Sequence, residues 1–96
     1  MNYKIYQITN YNDCDYKFDG WNYAKDKFNF KRDYTLIYEG KVEPNENSNI
    51  DILEDLFYIF NMKHPSDFKG HSLSVSDIVE LDGVCYYCDS TGWKKL

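Results

Sequence analysis

Two cysteines three positions apart, Cys85-Tyr86-Tyr87-Cys88, have the spacing of a zinc knuckle or of a thioredoxin-type redox pair, and Cys14, His64 and His71 could complete four ligands. A second Cys-x-x-Cys is missing. On a strand, residues three apart point to opposite faces, whereas a redox pair needs a helix N-terminus to lower one thiol pKa. The thiols therefore read as buried and inert. His71, Ser72, Ser74, Ser76 and Asp77 hold every residue type of a hydrolytic triad in one short run. Triads are assembled from distant segments, and neighbours on an extended run point alternately apart. Ser76 and Asp77 are expected instead to bond backbone groups where a strand begins or bulges.

Asp13, Asp15 and Asp19 suggest calcium, but the twelve-residue loop would need Gly where Phe18 stands and Glu where Ala24 stands. No glycine-rich phosphate loop, Gly-x-Ser-x-Gly elbow or His-Glu-x-x-His pair occurs. Trp21, Tyr23, Lys25, Lys27, Phe28, Phe30, Lys31 and Arg32 interleave rings with positive charge, the composition of a single-strand binding surface. The spacing of Trp21, Ala24 and Phe28 assigns half of those rings to a core-facing helix stripe, so nucleic-acid binding is the lesser reading. No enzymatic activity, cofactor or metal is expected.

Charge points the same way. Among the 96 residues the formal net charge is -5, and residues 33–60 hold one Lys against seven acids. Such a centre argues against affinity by phosphate neutralisation and suits a protein that imitates phosphates or meets a basic partner. Aromatics make up 19% of the chain, with ten Tyr, more than a core this small easily hides. Some rings should reach the surface, at a partner patch or at the core boundary. Three cysteines and no Asn-x-Ser/Thr acceptor favour a reducing compartment. No apolar run approaches the roughly 20 residues of a bilayer span, and Met1 leads straight into a strand pattern. The expected location is the cytoplasm.

The elements that position these residues follow from periodicity. Tyr3 to Ile8 carries large side chains on both faces, as in a strand inside a sheet. Phe18, Trp21, Ala24 and Phe28 predict a short helix from about Gly20 to Phe28, with Asp19 as its cap. Tyr34 to Glu39 predicts a second strand, ended by Gly40 or continuing to Val42. After the polar loop Pro44 to Asn49, a stripe of Leu53, Leu56, Phe57 and Phe60 predicts a helix capped by Ser48 or Asn49 and ended by Pro65. Asp82-Gly83 is a two-residue hairpin signal, which pairs Leu81 with Val84, Glu80 with Cys85, Val79 with Tyr86, Ile78 with Tyr87 and Asp77 with Cys88. Trp93 to Leu96 completes the order β-α-β-α-β-β-β. The expectation is one α+β domain over residues 1–96, a largely antiparallel sheet with two helices on one face.

Leu53-Glu54-Asp55-Leu56-Phe57, His64-Pro65-Ser66-Asp67-Phe68, Gly70 to Val79 and Tyr86-Tyr87-Cys88-Asp89-Ser90-Thr91-Gly92-Trp93 resemble the YodL-like domain. Tyr3 to Ile8 and Tyr34 to Gly40 are similar to it as well. The resemblance implies a protein of Gram-positive bacteria, their mobile elements and phages, with no established activity to carry over. By association it implies a role in countering host defence or supporting transfer, and this chain is expected to be the domain alone. The combined expectation is a non-enzymatic accessory protein that binds a host protein, such as a nuclease of a restriction or CRISPR complex, and inhibits it. The alternatives are a peptide- or protein-recognition module without inhibitory role and, behind it, a single-strand binder. The partner surface is expected on Glu39, Glu43, Glu46, Asp51, Asp55 and Tyr58, with His71 and Trp93 in the turn region. Monomer and homodimer both fit.

Overall fold

An interior strand with apolar side chains on both of its faces organises the fold. In the computed structural model, which describes residues 1–43 and 48–96, β1 (Asn2–Ile8) pairs with β2 (Tyr34–Lys41) on one side and β3 (Ile78–Leu81) on the other. β4 (Val84–Cys88) and β5 (Trp93–Lys95) extend an antiparallel five-stranded sheet of order β2-β1-β3-β4-β5. The α+β class and the strand order along the chain are as the sequence implies.

The Asp82-Gly83 turn has positive φ at both residues, 45° and 89°, as a tight hairpin with matched twist requires. The Ile78, Val79, Glu80 and Leu81 partners are those expected. Asp77 meets Cys88 through a bulge: Ser76 N–H donates to the Cys88 carbonyl and Cys88 N–H to the Asp77 carbonyl, both at 2.8 Å. Ser76 takes the left-handed conformation there, φ 84°, where glycine is usual. A second irregularity leaves Ile37 without a β1 partner, because Ile5 pairs with Tyr38 and Tyr6 with Leu36.

α3 (Asn49–Met62) is capped by Ser48, whose side chain accepts from Asp51 N–H. Its Leu53, Leu56 and Phe60 are essentially fully buried. At roughly 1.5–3 kcal/mol for each such side chain, packing outweighs the cap, which contributes about 1 kcal/mol. This stripe meets Tyr3, Ile5, Val79, Leu81 and Tyr86 on one sheet face.

The helices are not on one face. α1 (Trp21–Ala24) and α2 (Phe30–Asp33) belong to a second cluster, in which Trp21, Ala24, Phe28 and Phe30 pack with Tyr6, Ile8, Ile78 and Tyr87. Those sheet residues alternate with the ones beneath α3, so the 9–33 segment covers the opposite face. Its helix is also shorter than expected, ending at Ala24, and Asn29 caps a separate turn, α2, by accepting from Arg32 N–H. Asp19 does not cap α1. Asp89, from the β4–β5 connection, accepts the Trp21 N–H at 3.0 Å instead.

Candidate functional site

A buried polar cluster forms where the bulge delivers Asp77 beneath the loop before β3. Asp77 is almost completely buried, and its Oδ2 accepts from Ser74 N–H at 2.8 Å and from Gln7 Nε2 at 3.1 Å. Gln7, on β1, also donates to the His71 carbonyl at 2.9 Å. The imidazole closes the group, with Nε2 3.9 Å from Asp77 Oδ1 and Nδ1 2.7 Å from the Ser72 carbonyl. Among the described residues, His71 Nε2 is the buried side-chain polar atom without a hydrogen-bond partner. Burial dominates the Asp77 carboxyl and pushes it up to about 7, against the opposing hydrogen bonds from Ser74 and Gln7 and the charge of Lys17.

Backbone strain collects beside this cluster. Phe18 has φ 70° although its ring is exposed, and its N–H donates to Ser76 Oγ at 3.0 Å, so one left-handed residue holds the other. The Phe18 ring lies edge-on to His71 at 6.0 Å, and Lys17 Nζ stands 5.1 Å from its centre. Tyr34 OH donates to the Ser76 carbonyl at 2.6 Å from the opposite cluster. Strain of this kind persists only where its surroundings over-determine it.

Ser74 Oγ donates to the Ser72 carbonyl and Ser76 Oγ is used by Phe18; among the described residues no serine hydroxyl bonds an imidazole nitrogen. Cys85 and Cys88 face opposite sides of β4: Cys85 lies against the second cluster near Glu80, and Cys88 lies beside α3. Burial raises both thiols, Cys88 to about 12, which works against the thiolate form that redox chemistry uses. No group of three or more metal-ligating side chains is found among the described residues.

The residues expected to bind a partner are dispersed. Asp51, Asp55 and Tyr58 are exposed along one ridge of α3, which Met62 continues. Glu39 is exposed but pairs with Lys4, whose other neighbour Glu80 it joins on the sheet face opposite α3, so it does not belong to that ridge. Glu43 is exposed beyond β2, and Glu46 lies outside the described residues. His71 belongs to the buried cluster. Trp93 packs edge-on against Phe57 of α3 at 6.4 Å.

Glu54, one turn from Tyr58 on α3, adjoins Trp93 across a cleft and was not singled out by sequence reasoning. Its spacing from Asp51 and Tyr58 was the available signal. The basic and aromatic run is largely consumed: Trp21, Phe28 and Phe30 pack in the second cluster, Lys27 pairs with Asp15, and Arg32 grips Asp33.

No helix among the described residues is long and apolar enough to cross a membrane. Comparison with curated proteins and with solved structures finds no match to this chain. Over residues 2–96, however, it matches the YodL-like domain, and the chain belongs to that family.

Proposed function

We propose that the chain is a non-enzymatic accessory protein of a mobile element or phage, which binds a host protein and thereby inhibits a defence nuclease of the restriction or CRISPR kind. The observation that carries this reading is the outer ridge of α3. Three carboxylates, on Asp51, Glu54 and Asp55, run into exposed Tyr58, Ile59 and Met62, the last 69% accessible. Surface helices ordinarily turn such apolar side chains inward. Carboxylates flanked by apolar surface suit a partner whose Lys and Arg otherwise hold nucleic acid.

The polar cluster supports a binding role over catalysis, because its imidazole is engaged at one nitrogen and buried at the other. A variant carrying Asp51→Lys, Asp55→Lys and Tyr58→Ala tests the reading. The wild type should retain nuclease subunits from a host lysate and raise plasmid establishment in a restricting host, and the variant should do neither. Equal performance of both proteins would remove the ridge from the account. Retention of many unrelated proteins sharing a short motif would favour a recognition module without inhibitory role.

A further inference from the structure

Between α3 and the β4–β5 hairpin lies a cleft of about 170 Å³, the scale of one side chain, walled by Glu54, Phe57, Cys88, Asp89, Gly92 and Trp93. Two walls are aromatic, set edge to face at 83°. Two more are acidic. Glu54 makes no hydrogen bond or ion pair among the described residues. Asp89 uses Oδ1 for the N–H groups of Trp21 and Ser90, and its Oδ2 has no partner among them.

Among the described residues no Lys or Arg lines the cleft. The thiol in its wall is raised first by burial and then by the carboxylates of Asp77 behind the cleft and of Glu54 and Asp89 in it.

An anion would be repelled from such a place, and a neutral apolar group would desolvate Glu54 without compensating it. A cation gains from both kinds of wall, from the carboxylates by charge and from the rings through their quadrupoles. A planar guanidinium uses both best, since it stacks on a ring while its N–H groups fork to a carboxylate.

We propose that this cleft receives one arginine side chain of a protein partner. The assignment rests on the binding role proposed above and gives it a chemical preference, because Glu54 joins the cleft to the α3 ridge.

NMR titration of the whole chain tests it, with acetyl-Gly-Arg-Gly-amide as probe and the citrulline peptide as its neutral counterpart. The Trp93 indole N–H resonance should shift saturably with the arginine peptide. Affinity should fall about fivefold for citrulline, and by a similar factor in Glu54→Gln, a loss set by cation–ring and exposed charge-pair energies. Glu54 is exposed on its helix, so the variant should keep the wild-type far-UV circular dichroism.

Equal binding of citrulline, indifference to Glu54→Gln, or no saturable shift would overturn the assignment. If the peptide fails while the α3 ridge variant still loses its host partner, the cleft falls and the binding role stands. A peptide that binds as described while the ridge variant keeps every partner supports the cleft and removes the ridge.

Discussion

His71 and Asp77 confront each other as two acceptors across 3.9 Å. The Ser72 carbonyl, 2.7 Å from Nδ1, can only accept, and this shorter contact outweighs the 3.3 Å approach of Gln7 Nε2 to the same nitrogen, so the hydrogen of a neutral imidazole is assigned to Nδ1 and a lone pair is left on Nε2, toward Asp77 Oδ1. A proton on Asp77 replaces this repulsion with attraction. The Asp77 carboxyl, pushed up to about 7 by burial, is the group whose protonation the fold favours.

The sign follows from linkage. A carboxyl raised above its unfolded value of 3.8 gives stability that is complete below about pH 4 and is lost as pH rises through about 7. Asp77→Asn should remove this slope. The Asn oxygen can still accept from Ser74 and Gln7, while its amide donates toward His71 Nε2 as a protonated carboxyl would. Urea unfolding at pH 4.5, 6 and 7.5 should show a falling midpoint for the wild type and a flatter one for Asp77→Asn. The full effect has an upper bound on the order of 4 kcal/mol. A variant with the wild-type slope would show that Asp77 is not the titrating group.

Gly70 makes the same cluster possible by letting backbone approach side chain. A Cβ at this position would run into Gln7 Oε1 and lie 2.7 Å from Ile37 Cγ2. Neither neighbour can retreat, because Gln7 is tied to the His71 carbonyl and Asp77, and Ile37 sits in the β2 bulge. Gly70→Ala should therefore cost about 1–3 kcal/mol, as overpacking of a closed site does, and shift the Gln7 side-chain amide resonances. An unchanged urea midpoint would mean that the loop relaxes freely.

Much of the scaffold is written locally. Asp82-Gly83 encodes its turn in two residues, and once the turn is set the period of two dictates the register of four pairs. Large side chains on both faces of Tyr3 to Ile8 likewise announce an interior strand. The 9–33 segment was less legible because its apolar spacing imitates one helix. Phe18, the first member of that stripe, is in fact exposed and left-handed, and Asn29 interrupts the continuation. The polar cluster joins Gln7 to partners 64 and 70 residues away, and no local pattern announces it. That Ser76 and Asp77 bond backbone at a bulge was readable from their types. That Asp77 is buried beside an imidazole was not.

Asp33 looks like a surface residue in the sequence yet is completely buried where α2 hands over to β2. Arg32 binds it twice, at 2.7 and 3.0 Å, Tyr16 OH donates at 2.7 Å and Asn10 Nδ2 at 2.9 Å. Burial acts to raise this carboxyl, but the hydrogen bonds and the Arg32 charge outweigh it and hold it below its usual range. Its contribution is thus present above about pH 4 and lost as pH falls below that, opposite in sense to Asp77. Asp33→Ala should cost about 3–5 kcal/mol by stranding buried donors, with Tyr16 hydrogen exchange and near-ultraviolet circular dichroism reporting a loosened 9–33 segment. A loss under about 1 kcal/mol would mean that water replaces the carboxylate at no great cost.

Cys88 provides a probe of the seam between β4 and α3. Its thiol is 4% exposed and raised to about 12, first by burial and then by Asp77, Glu54 and Asp89. Thiolate is the reactive form, so at pH 8 native Cys88 should react with an aromatic disulfide reagent on the order of a thousandfold more slowly than the unfolded chain. A variant with Cys14→Ala and Cys85→Ala isolates this thiol. Its labelling rate should rise with urea in step with unfolding, because the native fold leaves the thiol 4% exposed and suppresses its thiolate even though it lines the cleft. Rapid labelling without urea would mean that the seam opens by itself, and an arginine cleft walled by that seam would then lack a fixed shape.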